Sequence, residues 1–352
     1  MLINRIVEQL KDQAITDLHL AVNEPMWTRR LGELRRAGEA PLQDADLRQF
    51  LHSYTNGESI ERLLDGRGGS YDFAITVEAT RMRCNLARVA GGLLSLKLRR
   101  LRDSVASLAE LGLPDTLRQQ VDRSKGLIFV TGPTGSGKST TLAGCINHIN
   151  RTRAGHIITI EDPIEYVVRS ERCMVTRREV GKDVESFDHA VRAAMRQDPD
   201  VIVIGEVRDR ETMRAAFNAA ETGHLVLATL HTVNAPKTVD RVTSFFQEDE
   251  QHWARAVLAT VLNAVLSQAL IRTRHGTLTL ACELLVNTPA VRQHILDGKV
   301  AQIQNLMFTG RQDGQLLMQQ SLARKVKEGL ITREDAAFAC EDPALLEKEL
   351  GR

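Results

Sequence analysis

Hydrophobic residues in the first hundred positions follow two different periods. Those that recur at helical spacing at the start of the chain are Leu2, Ile3, Ile6, Val7 and Leu10, and they predict an amphipathic helix. Runs with strand character follow at 18–22, 26–34 (interrupted by Gly32), 71–77, 81–89 and 93–98. Helical stretches are expected at 44–52 and 59–64. This pattern indicates a small α+β domain over residues 1–102, followed by a linker over 103–114.

The pattern changes near residue 115, where apolar runs begin to alternate with helical segments. Strands are predicted at 127–130, 157–160, 201–204 and 225–229. The first three are apolar throughout, as expected of parallel strands that helices cover on both faces. Beyond Pro236 the pattern favours helices, including a long one over 252–270. We therefore predict an α/β domain with a parallel sheet and a helical C-terminal part over residues 115–352.

One glycine-rich run carries the strongest chemical signal. Residues 132–139 read Gly-Pro-Thr-Gly-Ser-Gly-Lys-Ser, which fits the phosphate-binding pattern G-x-x-x-x-G-K-[S/T]. Because a predicted strand precedes it and a helix follows, backbone N–H groups are expected at the positive end of that helix. Lys138 would reach the β- and γ-phosphates of ATP, and the Ser139 hydroxyl would bind Mg²⁺. The residues expected to hold the nucleotide are Gly132, Pro133, Thr134, Gly135, Ser136, Gly137, Lys138, Ser139 and Thr140.

A buried strand that ends in an acid supplies a second part of such a site. Glu206 comes two positions after the strand predicted at 201–204. In phosphate-loop enzymes a strand of this kind lies beside the strand of the loop and delivers its acid to the Mg²⁺ or to the attacking water. Glu206 is therefore the first candidate for the catalytic carboxylate.

A second strand also ends in acids. Glu161, Asp162 and Glu165 follow the strand predicted at 157–160, which Pro163 terminates because it cannot donate to the sheet. Three acids so close together repel one another unless a cation or an active-site network uses them. A solvated acidic turn is the alternative interpretation of this segment.

Two histidines flank the strand predicted at 225–229. His231 follows its carboxyl end, where α/β proteins bind ligands, and is placed to sense a γ-phosphate. His224 precedes the strand and is expected to couple structural elements or subunits. A single histidine in such a place is more often structural than catalytic, and neither has metal-ligand spacing.

Arginines cluster towards the end of the first domain. They are Arg81, Arg83, Arg88, Arg99, Arg100 and Arg102. Phosphoryl transfer needs cations that neutralise developing charge, and a neighbouring subunit can supply them. From the residues alone, a solvated strand face and a general basic patch are equally open interpretations.

Composition excludes several classes of protein. The chain has 352 residues, a net charge of +1 and only 4% aromatic residues, which argues against a nucleic-acid groove or stacking platform. The five cysteines are scattered with no C-x-x-C pair, which excludes a zinc ribbon and fits a reducing cytoplasm. No apolar run approaches the length of a membrane span and no signal peptide is evident. We expect a cytoplasmic protein that reaches the membrane only through partners.

Several blocks in a fixed order resemble the secretion and type IV pilus ATPase superfamily, and especially its pilus retraction branch. The blocks are Thr16–Leu20, the phosphate loop, an aspartate box at Thr159–Tyr166, a Walker B run at Asp198–Asp209, a histidine box at Ala220–Thr232 and the segment Lys237–Arg241. The resemblance covers nearly the whole chain and is densest from Gly126 to Arg241. Such a combination is highly specific.

The resemblance implies a homohexameric ring of two-domain subunits, each with a PAS-like N-terminal domain and a RecA-like ATPase core. It places the nucleotide at the domain and subunit junctions, where arginines of the N-terminal domain complete the site. Arg83 matches the first family arginine; Arg99 fits the second best, although Arg100 competes with it. By the same analogy Glu206 acts on the attacking water with Glu161 assisting, and His231 lies next to the γ-phosphate.

Departures from the family pattern separate the branches. Assembly and type II secretion ATPases usually carry paired C-x-x-C motifs and a longer N-terminal region, which this chain lacks. Conjugation-type ATPases usually lack the Glu-Asp-Pro-Ile-Glu form and the Leu-His-Thr ending. Ala290–Asp297 matches the C-terminal signature of the retraction branch only loosely, and Gln247 replaces a usual proline.

The expected function is therefore that of a hexameric motor ATPase that uses Mg-ATP to drive pilus retraction through an inner-membrane platform protein. A retraction-like ATPase of a type IV secretion or conjugation system is the alternative within the family. A RecA-like nucleic-acid translocase and a non-hydrolysing nucleotide-gated scaffold are alternatives from other classes, and no direct contact with nucleic acid is expected.

Overall fold

The computed structural model describes residues 2–30, 33–55, 61, 63, 65, 69–78, 80–101 and 105–351. The chain forms two compact units. Unit 1 consists of Met1–Ser104 and Pro163–Val167, and unit 2 consists of Val105–Asp162 and Val168–Arg352. Within the described ranges, no helix combines the length and the apolar character that crossing a membrane requires.

Unit 1 contains a six-stranded antiparallel sheet in the order β3-β2-β1-β6-β5-β4. Its strands are β1 (Ile15–Ala21), β2 (Pro25–Arg30), β3 (Glu33–Pro41), β4 (Ser70–Val77), β5 (Thr80–Val89) and β6 (Leu93–Arg100). The helices of unit 1 whose bounds lie within the described residues are α1 (Leu2–Leu10) and α2 (Asp44–Tyr54). Their apolar residues share one buried cluster with those of the sheet.

Alternation along the central strands decides which side chains enter this core. On β6 the leucines at 94, 96 and 98 are fully buried, as are Met82, Cys84 and Leu86 on β5. Because side chains of a strand point alternately to opposite faces, Arg83 and Arg99 lie on the face away from the core. They occupy paired positions of the β5–β6 register.

One strand prediction for unit 1 was wrong in its extent. The run predicted over 26–34 with an interruption at Gly32 forms two strands, since β2 ends at Arg30 and β3 begins at Glu33 and continues to Pro41. The two pair antiparallel with Arg30 opposite Glu33, so the chain reverses between them as a glycine within a strand pattern often indicates. Gly32 itself, and residues 59, 60, 62 and 64 of the predicted second helical stretch, lie outside the described residues.

Unit 2 is built on a seven-stranded sheet in the order β13-β12-β7-β11-β10-β8-β9. All neighbouring strands are parallel except β12 and β13. The strands are β7 (Gly126–Thr131), β8 (Gly155–Glu161), β9 (Cys173–Glu179), β10 (Val201–Ile204), β11 (Leu225–Leu230), β12 (Leu262–Arg272) and β13 (Leu278–Val286). The first helices are α3 (Asp115–Val121), α4 (Lys138–Thr152), α5 (Phe187–Ala194), α6 (Arg210–Glu221), α7 (Ala235–Ser244) and α8 (Gln251–Val261).

Both faces of this sheet are covered, which explains the uninterrupted apolar runs of its central strands. Phe129, Ile202 and Val226 contribute to a cluster with α5, α6, α7 and α8. The alternate residues, such as Val130 and Val203, contribute to a separate cluster with α3 and α4. Each strand therefore fills two cores, and its ends remain available for the site.

The C-terminal part is helical, but it begins with a hairpin of β12 and β13, where a helix was predicted. The helix predicted over 252–270 ends at Val261, and β12 follows at once, paired in parallel with β7 and antiparallel with β13. The apolar run after Val261 completes the β7 side of the sheet, and this tertiary pairing overrides the helical pattern. The remaining helices are α9 (Pro289–Leu296), α10 (Ile303–Thr309), α11 (Met318–Lys327), α12 (Arg333–Phe338) and α13 (Pro343–Leu350).

An aromatic cluster provides a direct test of the core of unit 2. Phe217 is fully buried, and its ring centroid lies 5.8 Å from that of Phe246 and 6.0 Å from that of Trp253. We expect Phe217→Ala to lower the free energy of unfolding by about 3–5 kcal/mol, because it removes this contact and leaves a cavity. The matched control is Phe338→Ala, since Phe338 is 96% exposed and the same change should cost less than about 0.5 kcal/mol. Denaturant midpoints of equal size in the two variants would contradict the assignment of this core.

Candidate nucleotide-binding and hydrolysis site

Parallel register brings four chain segments to one edge of the sheet of unit 2. In neighbouring strands Leu230 lies opposite Thr131, and Ile204 lies opposite both Ala228 and Ile160. The phosphate loop, His231, Glu206 and Glu161 follow or end these strands. Segments that are more than 20 residues apart in sequence are thereby placed side by side, at the edge where α/β proteins bind ligands.

Glycines give the phosphate loop its shape. The φ values of Gly132, Gly135 and Gly137 are +142°, +81° and +90°. Residues with a Cβ atom rarely adopt this left-handed conformation. At Gly132 a Cβ atom would lie 2.3 Å from the backbone oxygen of Gln268, so the loop packs directly against β12. The helix α4 begins at Lys138, and its first N–H groups therefore face the loop, as an anion site requires.

Lys138 lies within the loop and against the histidine of the next strand. Its Nζ donates hydrogen bonds to the backbone oxygens of Gly132 at 2.8 Å and Pro133 at 3.1 Å. The same atom lies 3.4 Å from Nδ1 of His231. Two residues selected separately from the sequence thus meet at the mouth of the loop.

Glu206 is the centre of a charged network. Its Oε1 lies 3.0 Å from Nε2 of His231, and its Oε2 lies 2.8 Å from a guanidinium nitrogen of Arg208. Burial alone would raise the pKa of Glu206, but the Arg208 hydrogen bond, together with the charges of Arg208 and His231, lowers it below its usual range. The carboxylate therefore stays ionised at neutral pH.

The aspartate-box acids reach the same network by different routes. Glu161 accepts a hydrogen bond from the hydroxyl of Thr159 at 2.8 Å, and Asp162 lies 3.6 Å from Arg208. Gly205 allows this close approach of the two strand ends, because a Cβ there would lie 3.2 Å from the Cα of Glu161. Arg208 thus lies between the carboxylates of Glu206 and Asp162.

The N-terminal arginines have partners within unit 1. Arg83 forms an ion pair of 2.9 Å with Glu165, the third aspartate-box acid, which belongs to this unit. Arg99 lies 2.8 Å from the buried Asp17, whereas Arg100 donates to the backbone oxygens of Leu10 and Asp12. Arg102 lies outside the described residues. Arg83 and Arg99 therefore share one face of the sheet, while Arg100 is used to hold the chain after α1.

His224 has a structural setting at the opposite edge of the sheet. Its Nδ1 lies 2.9 Å from the backbone oxygen of Ala219 and 3.1 Å from the hydroxyl of Thr222. These contacts close the turn between α6 and β11. The residue thus couples two elements, as its position before the strand suggested.

Two residues of the site were missed in the sequence. Arg208 stands two positions after Glu206, but an arginine beside an acid carries no distinctive signal. Gln268 is almost fully buried, and its side-chain amide donates to the backbone oxygen of Ser136 at 2.7 Å. A glutamine within a largely apolar run could have indicated this role of Gln268. The prediction of a helix over 252–270 obscured that signal.

The donor set fits a magnesium ion bound together with phosphates. Ser139 lies in the first turn of α4, and the carboxylates of Glu206 and Glu161 follow neighbouring strands. In the part of the chain that the structure describes, no group of three or more His, Cys, Asp or Glu side chains could hold a metal by itself. Mg²⁺ usually takes only one or two protein oxygens and completes its shell with water and phosphate, so this sparse set is appropriate.

The contact between Arg208 and Glu206 makes a prediction about pH. Arg208→Ala removes the hydrogen bond and charge that lower the pKa of Glu206, whereas burial still raises it. The acid limb of the ATPase pH–rate profile should therefore move to higher pH, with the rate near pH 8 less affected. Arg192→Ala is the matched control, because Arg192 is similarly exposed and pairs with Asp188 on α5. An unchanged acid limb in Arg208→Ala would contradict the proposed tuning of Glu206.

Comparison with known proteins identifies the family. The profile of the family described as "Type II/IV secretion system protein" matches residues 55–341. The chain is 40% identical over 331 residues to the type IV pilus retraction ATPase PilT of Pseudomonas aeruginosa, which covers 94% of this chain and 96% of that protein. It is also 40% identical over 307 residues to the twitching motility protein of Neisseria gonorrhoeae, covering 87% of this chain and 81% of that protein.

Solved structures agree with this result. A crystal structure of the pilus retraction motor PilT with bound ADP superposes with a TM-score of 0.89 at 40% identity, covering 98% of each chain. The ATPase DotB of Legionella pneumophila gives a TM-score of 0.83 at 26% identity, covering 96% of this chain and 94% of that chain. The predicted fold class and the resemblance stated from the sequence are confirmed. The chain therefore belongs to the Type II/IV secretion system protein family.

Proposed function

We propose that this chain is a motor ATPase that couples hydrolysis of Mg-ATP to pilus retraction. The single observation that carries the proposal is the convergence of Lys138, His231 and Glu206 beside the phosphate loop. Near-complete coverage of two retraction and twitching proteins supports the motor role. As a member of this family the chain is an ATP hydrolase, and the residues below are the ones that we assign to its steps.

The phosphate loop binds and orients the nucleotide. Backbone N–H groups of residues 134–139, at the N-terminus of α4, surround the phosphates, and Lys138 exchanges its loop carbonyl contacts for the β- and γ-phosphates. Ser139 would hold Mg²⁺ together with phosphate oxygens. When bound, that ion neutralises charge on the transferred phosphoryl group.

Glu206 acts on the attacking water. Since its lowered pKa keeps it ionised, the carboxylate can accept a hydrogen bond from the water and orient it for attack. His231 bridges this carboxylate and Lys138, so it connects the water side of the site with the phosphate side. We assign Glu161 an assisting role at the neighbouring strand end.

The arginines of unit 1 complete the site of a neighbouring subunit in a homohexamer. Arg83 and Arg99 are the two assigned to this role, and their shared face of the antiparallel sheet supports it. In the single chain their charges are held by Glu165 and Asp17, so engagement with a neighbour requires exchange of these partners. Relative motion of a domain over 1–102 and a domain over 115–352 would transmit force to an inner-membrane platform protein.

Service in a secretion system is a second candidate function. Over 155 residues, 44% of its length, this chain is 43% identical to type II secretion system protein E of Xanthomonas campestris, but that match covers only 26% of the relative. The retraction and twitching relatives are covered over 96% and 81% of their lengths. This difference in coverage favours retraction.

Substitution of the catalytic carboxylate tests the proposal. Glu206→Gln should lower kcat by about 10²–10⁴-fold and leave ADP binding intact, because it removes the base but not the loop. Lys138→Ala should instead abolish ADP binding, as measured by calorimetry. In the cells that make the protein, Glu206→Gln should leave pili extended and unable to retract. Exposed Glu248→Gln is the control, and undiminished turnover in Glu206→Gln would refute the assignment.

Mixed rings test whether Arg83 acts on a neighbouring subunit. Arg83→Ala and Glu206→Gln should each be almost inactive alone, yet a mixture of the two purified proteins should regain part of the ATPase rate. In such a ring some sites combine an intact Glu206 with an intact Arg83 from the next subunit. If Arg83 acts within its own subunit, no site of the mixture is complete and the rate stays at the level of the single variants.

A further inference from the structure

Glu283 is a buried carboxyl that the hydrolysis scheme above does not use. It lies in the middle of β13, and only 5% of its surface is exposed. Burial raises its pKa to about 7, although hydrogen bonds from two backbone N–H groups oppose this shift. A group of this kind needs specific partners, because an unpaired buried carboxyl destabilises a fold.

The two partners of Glu283 are the starts of two helices. Its Oε1 accepts a hydrogen bond of 2.8 Å from the backbone N–H of Ala235, the first residue of α7. It also accepts one from the backbone N–H of Met318, the first residue of α11. First-turn N–H groups have no partner within their own helix, and both helix dipoles are positive there. One carboxylate therefore connects α7 to the C-terminal helices.

A second carboxylate holds the same end of α7. Oxygens of Glu341, which lies between α12 and α13, accept 2.6 Å hydrogen bonds from the Asn234 amide and from Nζ of Lys237. Asn234 is the N-cap of α7 and accepts in turn from the backbone N–H of Lys237. The buried Glu283 and the exposed Glu341 thus both hold the first turn of α7.

The chain segment that enters α7 begins at the site. His231 is only four positions before Ala235, and the hydroxyl of Thr232 lies 2.7 Å from that of Thr238 within α7. A shift of the α7 start is therefore transmitted to His231 through a short and internally bonded segment. The imidazole ring of His231 contacts the site directly: its Nε2 lies 3.0 Å from Oε1 of Glu206, and its Nδ1 lies 3.4 Å from Nζ of Lys138.

We propose that Glu283 is a positioning residue for ATP hydrolysis. By joining the starts of α7 and α11, with Glu341 as a second anchor, it holds His231 at the Glu206 carboxylate and makes that geometry depend on the C-terminal helices. The inference rests on the proposed role of His231 at the γ-phosphate. It assigns the C-terminal helices a direct influence on kcat, separate from nucleotide binding.

The test combines kinetics with local amide exchange. Glu283→Gln keeps the shape of the side chain, but it removes the charge and replaces one acceptor oxygen with an NH₂ group, which only donates. We expect kcat to fall about 3–10-fold, with the ADP dissociation constant within about twofold of wild type, as weakening of one hydrogen bond predicts. Deuterium exchange, followed by mass spectrometry on the full-length protein, should rise in peptides covering residues 231–240 and not in those covering α6.

Glu349→Gln is the matched control, because Glu349 is also a buried glutamate of the C-terminal part but pairs with Arg311. It should change neither kcat nor exchange at 231–240. Glu341→Ala, a surface change, should lower kcat about two- to fivefold in the same direction and loosen the same peptides. This second variant retains the test if the buried substitution impairs folding.

Each other outcome overturns the proposal. Unchanged kcat in both Glu283→Gln and Glu341→Ala would show that the contacts of Glu283 and Glu341 with the start of α7 do not position the site. A parallel loss of ADP affinity, or equal loosening of α6, would assign Glu283 a general structural role. Deuterium exchange at residues 231–240 tests the contacts of Glu283 without requiring ATP turnover. Failure of the proposed function would instead appear as undiminished ATPase activity in Glu206→Gln.

Discussion

The parallel register of β7, β11, β10 and β8 is the constraint on which the site depends. Parallel pairing aligns the carboxyl ends of strands that are far apart in sequence, and here each of those ends carries a different chemical group. The phosphate loop, His231, Glu206 and Glu161 are thus placed in one row, and the last two are the acids that we propose as catalytic and assisting. The two apolar clusters that cover the faces of the sheet stabilise this register, so the hydrophobic core and the site have the same origin.

Within that row, competition between burial and charge sets the state of Glu206. Desolvation favours the protonated acid, whereas Arg208 and His231 favour the carboxylate and prevail. The same pair of opposing effects gives the reverse result at Glu283, where hydrogen bonds from two helix starts do not outweigh burial. Two glutamates of one domain therefore differ in pKa because Glu283 is more deeply buried and has backbone amides as partners, whereas Glu206 is paired with charged side chains.

The parts of the fold that local pattern controls could be predicted from the sequence, and the parts that tertiary pairing controls could not. The phosphate loop and the buried strands with Glu161, Glu206 and His231 at their ends have signals within a few residues. The strand β12 has no such local signal, because the apolar run after Val261 fits a helix equally well. Only its pairing with β7 makes it a strand. Gln268 was missed for the same reason, since its role arises from a contact across strands. Arg208 was missed because an arginine beside an acid gives no distinctive signal of its contacts with Glu206 and Asp162.

The short segment Pro163–Val167 gives the chain an unusual connectivity. It belongs to unit 1, although the residues on both sides of it belong to unit 2, so the polypeptide passes between the units after Ser104, after Asp162 and after Val167. A fragment that ends at residue 104 would lack Glu165 and leave Arg83 without this partner. An exchange of residues 1–104 alone would therefore separate Arg83 from Glu165, and a recombinant that keeps this ion pair needs both pieces of unit 1.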